Sequence, residues 1–66
     1  MNTKIVILDY HSREVFVIED CPTFYDVNGD FELELALNYL SREHGIDLEE
    51  EDVHFMMTDS LIINVL

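Results

Sequence analysis

Apolar positions along this chain fall into two periods, and the change from one to the other marks out its elements. Lys4–Tyr10 (KIVILDY) and Val15–Glu19 (VFVIE) are runs of β-branched and aromatic residues separated by His11-Ser12-Arg13-Glu14, a polar connection of hairpin length. They predict two strands joined by a turn. Asp20–Asp30 holds Cys21-Pro22 and Asp26-Val27-Asn28-Gly29-Asp30, where proline cannot donate to a ladder and Asn-Gly tolerates positive φ, so this stretch reads as a loop.

A helical period follows. Asp30 is the expected N-cap, Phe31 the expected start, and Glu32 stands where the positive end of the helix dipole favours a carboxylate. At about 100° per residue, Leu33, Ala36, Leu37, Leu40 and His44 share one arc, the width of a core-facing stripe. Gly45 then reads as a left-handed C-cap with Ile46 as its hydrophobic contact. Asp47–Asp52 (DLEEED) reads as one short turn capped by Asp47 or as a solvated connection. Val53–Met57 (VHFMM) and Leu61–Leu66 (LIINVL) flank Thr58-Asp59-Ser60 and predict a second hairpin. The expected architecture is α+β, a ββαββ domain over residues 1–66 with a four-stranded, mainly antiparallel sheet and one helix on one face.

One helix covers one face of a sheet, so the other face of a self-sufficient monomer should be polar. The strands do not alternate that way. Ile5 and Ile7 oppose Val6, Leu8 and Tyr10; Val15 and Val17 oppose Phe16 and Ile18; in the last two runs only His54 and Asn64 interrupt the second apolar set. The helix carries a further stripe, Phe31, Leu35 and Tyr39, about 160° from the first. More apolar surface than two layers can hide points to association, and the candidate interface is Phe16, Ile18, Phe31, Leu35 and Tyr39, meeting a second copy in a homodimer or another protein.

Charge narrows the partners. The 66 residues carry fifteen acids against three bases, a formal charge of −12, which opposes direct contact with nucleic acid or an anionic membrane surface. Hydrophobic residues make up 48% of the chain, enough to argue for a folded rather than a disordered state. Glu32, Glu34, Glu43, Asp47, Glu49, Glu50, Glu51 and Asp52 form a candidate acidic surface that could face a partner with a basic surface, as in an inhibitor imitating a phosphate backbone.

Catalytic and cofactor signatures are missing. Asp26–Glu32 begins like a calcium loop, but Phe31 stands at the sixth position and Leu37 at the twelfth, where that loop needs glycine and glutamate, so a turn is the expectation. His11, His44 and His54 are not at chelating spacing, and no cofactor or metal is expected. Cys21 is alone, in keeping with a reducing cytosol, and Ile5–Leu8 is too short for a signal-peptide core or a membrane span. Interaction rather than catalysis is the expected role.

Ile7-Leu8-Asp9-Tyr10 before a short turn into Val15-Phe16-Val17, with Phe55-Met56-Met57-Thr58-Asp59 ahead of a final apolar run, resembles small acidic proteins of bacterial mobile elements. That resemblance implies a bacterial cytoplasmic setting, and it brings no activity or site residue with it.

Overall fold

A computed structural model describes residues 3–66. The first two apolar runs form β1 (Lys4–Asp9) and β2 (Glu14–Glu19), an antiparallel hairpin with Val6 opposite Val17 and Ile7 opposite Phe16. Asp9 closes the connection. Its carboxylate, on a residue only 4% exposed, accepts the His11 N–H at 3.1 Å, the Ser12 N–H at 3.3 Å and the Ser12 hydroxyl at 2.6 Å. The Ser12 hydroxyl is the main reason this carboxyl is held below its ordinary pKa; desolvation opposes the shift and the backbone N–H groups of His11 and Ser12 reinforce it. Arg13 completes the turn at φ 62°, a conformation that costs a residue with a Cβ.

The segment after β2 contributes to the core. Pro22–Phe24 makes one 3₁₀ turn that drives Phe24 inward to 1% exposure, and Tyr25 then pairs with Phe31 in an isolated antiparallel bridge. Between them the Asp26 carboxylate accepts the N–H groups of Asn28 (2.8 Å) and Asp30 (3.0 Å), with Gly29 at φ 84°. These bonds explain why Asp30 does not cap the helix. Its N–H and C=O both return to Asp26, Glu32 N–H bonds the Phe24 carbonyl at 2.8 Å, and the chain stays extended until α1 (Leu33–His44) begins behind Glu32.

Helix α1 buries Ala36, Leu37 and Leu40, the centre of the expected stripe, while Leu33 is half-buried and His44 exposed. Gly45 ends it at φ 67°, donating to the Leu40 and Ser41 carbonyls, and Ile46 packs on the core as anticipated. Asp47 does not cap the next turn; its carboxylate accepts the Ser41 hydroxyl at 2.6 Å, and the 3₁₀ turn forms later, at Glu50–Asp52. Asp52 then offers its carbonyl to Tyr10 N–H at 2.9 Å, tying this acidic segment to the end of β1.

The last element is β3 (Val53–Thr58), and it corrects the expected topology. β3 pairs antiparallel with β1, Val6 opposite Met56 and Ile7 opposite Phe55, giving a three-stranded sheet in the order β2-β1-β3. β2 and β3 therefore run parallel to each other, linked by a crossover that carries α1 over the sheet. Leu61–Leu66 forms no strand, so the ββαββ order and the fourth strand are not present among the described residues. Period-2 apolar spacing confers strand propensity but names no partner, and β1, the most buried of the three strands, takes β3 on the edge β2 leaves free. The core is the helix side of the sheet: Ile5, Ile7 and Val53 with Phe24, Ala36, Leu37 and Leu40.

Candidate functional site: the open face of the sheet

Residues directly opposite one another in an antiparallel pair share a face, so the registers sort every strand side chain. Ile5, Ile7, Phe16, Ile18, Val53, Phe55 and Met57 face α1. The opposite face is built in rows across the sheet. Glu19, Lys4 and Thr58 form a polar row at one end; Val17, Val6 and Met56 the next; Val15, Leu8 and His54 the third. Tyr10 extends the same side of β1, its ring edge-on to His54 at 5.2 Å.

Among the described residues no element covers the two middle rows. Val6, in the central strand between Val17 and Met56, is only 4% exposed, while those two register partners are 44% and 50% exposed. Leu8 and Val15 are exposed too. The apolar rows are bounded by charge at one end, where Lys4 Nζ meets Glu19 Oε1 at 2.8 Å, and by the Tyr10–His54 pair at the other. An apolar centre with a polar rim is the anatomy of a protein contact.

The candidate interface residues lie elsewhere. Phe16 and Ile18 sit on the helix side, packed against the core, and line a groove of about 270 Å³ along the outer edge of β2 with Leu40, His44 and Ile46. The second helical stripe is largely accounted for within the chain itself: Tyr39 meets Phe24 edge-on at 5.4 Å, and Phe31 contacts Tyr25 at 5.7 Å and Phe55 at 5.0 Å. Leu35 is half-buried. The loop after β2, polar in composition, thus supplies the aromatic cover that the sequence left unassigned. Alternation in the sequence separates Val6 and Leu8 from Ile5 and Ile7, and Val15 and Val17 from Phe16 and Ile18, but only the strand register puts Val15 and Val17 on the face of Val6, Leu8 and Met56, and only the seat of the helix leaves that face free.

The acidic candidates Glu32, Glu34, Glu43, Asp47, Glu49, Glu50 and Glu51 are exposed, and Asp52 is half-buried. Asp26 and Asp30 close a turn, with the Asp26 carboxyl held low mainly by its bond from the Asp30 N–H and further by the Asn28 N–H. No group of three or more His, Cys, Asp or Glu able to hold a metal occurs among the described residues. Cys21 Sγ lies 3.2 Å from the Thr23 hydroxyl, which lowers its pKa while Asp20 opposes the shift. Tyr25 donates its hydroxyl to Asp20 at 2.8 Å, which raises its own pKa. His11 lies in the hairpin turn and His44 meets the Tyr39 ring edge-on at 5.5 Å.

No helix among the described residues is long and apolar enough to cross a membrane. No protein-family model, curated protein or solved structure matches the chain.

Proposed function

We propose that this chain is a small acidic protein-interaction module that self-associates through the open face of its sheet. The observation that carries the reading is the uncovered pair of rows Val17–Val6–Met56 and Val15–Leu8–His54, apolar in five of six positions, on a chain that is otherwise densely charged. Burying such a patch is favourable by about 25 cal/mol per Å² of apolar surface removed from water, and the Lys4–Glu19 rim gives the contact an orientation. The setting is the bacterial cytoplasm, where Cys21 stays reduced, and the role is binding rather than catalysis.

The test is a charge placed in the centre of the face. Val17→Glu puts a carboxylate on an exposed β2 position whose side chain does not enter the core, so the monomer should keep its far-UV dichroism. Sedimentation at about 100 μM should show association of the native chain weakened at least tenfold by the substitution, roughly the 1.4 kcal/mol or more that a misplaced interface charge costs. Unchanged association would reject the face.

A second reading draws on the exposure of Glu32, Glu34, Glu43, Asp47, Glu49, Glu50 and Glu51 on α1 and its flanks: an inhibitor that presents carboxylates to a basic nucleic-acid-binding protein. Its partner would elute from the immobilised chain as salt rises, whereas an apolar contact would hold.

A further inference from the structure

Fourteen consecutive residues, Val53–Leu66, contain a single charged side chain, Asp59, while the rest of the chain carries the other fourteen acids and all three bases. This charge-poor segment comprises β3 and the apolar arm Leu61–Leu66 that follows it. The arm has strand composition but no strand, and it lies in water: Ile62 is 75% exposed, Val65 92%. The molecule is also elongated. The radius of gyration is 12.1 Å, against about 11 Å for a compact chain of this length, and the longest dimension is 41 Å against 28 and 20 Å.

The sheet has two free edges, and they differ. β2 is bracketed by Glu14 and Glu19, charges of the kind that keep an edge from pairing with another chain. β3 reads VHFMMT and has none; Phe55 and Met57 on its helix side are exposed, and a groove of about 270 Å³ beside it is lined by Leu33, Val53, His54 and Phe55. Leu61–Leu66 offers six residues, enough to pair along the whole of β3. A local turn fixes the point where the chain leaves β3: the Thr58 hydroxyl donates to the Ser60 carbonyl (2.9 Å) and accepts the Ser60 N–H (3.1 Å), and the arm beyond it forms no strand on its own sheet.

We propose that two copies of this chain exchange arms, Leu61–Leu66 of each adding as an antiparallel fourth strand to the free edge of β3 in the other. The occupant is a second copy because the exchange satisfies both unpartnered features at once, in the reciprocal manner of a two-fold dimer, and because it joins two highly acidic chains where each is least charged. The edge of the sheet is a surface distinct from its open face, so this exchange goes beyond the contact proposed above.

The experiment compares the full native chain with full-length Ile63→Pro and Val17→Glu at about 100 μM, by sedimentation and by amide hydrogen exchange. Proline at position 63 removes a ladder donor from the arm and touches nothing in the core, so the protomer stays folded. Arm exchange predicts a native particle of at least twice 7.8 kDa, at least tenfold weaker self-association in Ile63→Pro, and slow exchange at the arm amides and at the β3 amides that do not bond to β1, in the native chain and in Val17→Glu but not in Ile63→Pro. Association that survives Ile63→Pro and disappears in Val17→Glu overturns the exchange and leaves the open-face reading standing. A native chain that is monomeric at this concentration overturns it outright.

Discussion

At the scale of single residues, the group with most to do is Asp9. It is an acid at the inner end of β1, on the helix-facing side opposite Val53, and its carboxylate accepts three hydrogen bonds from the turn it begins. Those bonds favour the ionised form, so the folded state binds this proton less readily than the unfolded chain does. The sign follows directly. With the folded pKa depressed, the contribution is fully present above the ordinary carboxylate value and is lost as pH falls below it and through the folded value. Asp9→Asn keeps the shape and removes the charge, and it should be less resistant to urea than the native chain at pH 7. The gap between their urea midpoints should narrow as pH falls below the ordinary carboxylate value of 3.8, where the unfolded chain binds this proton before the folded one does. A gap constant with pH would show that Asp9 acts by shape alone. Comparing the two chains is essential, because protonating the other acids relieves repulsion and moves the absolute stability the opposite way.

Elements show a different balance of local and distant causes. The end of α1 is set locally: Gly45 at φ 67° has nothing within 4 Å of where a Cβ would sit, so Gly45→Ala meets no clash and its cost is conformational. Forcing alanine into the left-handed region should lower stability by about 1 kcal/mol, readable as an earlier thermal or urea midpoint with unchanged dichroism. No change would mean that the helix end frays freely. The same locality made the β1–β2 hairpin and the centre of the helix legible in the sequence, through β-branched runs around a polar turn and through Ala36, Leu37 and Leu40 on one arc. The helix start was not legible, because Asp30 looks like a cap by composition but is claimed by Asp26 four residues earlier. Phe24 was missed for a related reason: it stands among Pro, Thr, Asp, Asn and Gly, and only the 3₁₀ turn aims it at Leu40 and Tyr39 on the helix. Partner choice among strands lay furthest from view. LIINVL and VHFMMT are both acceptable neighbours for β1, and nothing within either says that VHFMMT crosses the sheet to take the place. The candidate site shares this limit, since alternation sorts Val17 from Phe16 but only the packed helix tells which of them is free.

For the whole molecule, the governing fact is a formal charge of −12 on 66 residues with Lys4, Arg13 and Arg42 as the basic groups. Lys4 is engaged by Glu19 at 2.8 Å and Arg42 by Glu43 at 3.4 Å, exposed pairs that offset little of the net repulsion. Folding brings the acids together, and association brings two such bodies together, so both processes work against Coulomb energy that salt removes. The Debye length falls from about 10 Å at 0.1 M to about 3 Å at 1 M, so repulsion between exposed charges is largely screened over that range. Raising sodium chloride over that range should therefore raise the urea midpoint and tighten self-association severalfold, whether the copies meet through the open face or through exchanged arms, because both contacts are apolar at their centres. An acidic mimic gripping a basic site would respond in the opposite direction, since its attraction is the exposed Coulomb energy that salt screens. Titrating salt against sedimentation of the chain alone, and against retention of any captured basic partner, separates the two: self-association that weakens steeply with ionic strength would mean that charge rather than apolar surface makes the contact, and would remove the physical basis for assigning this chain's function to its uncovered strands.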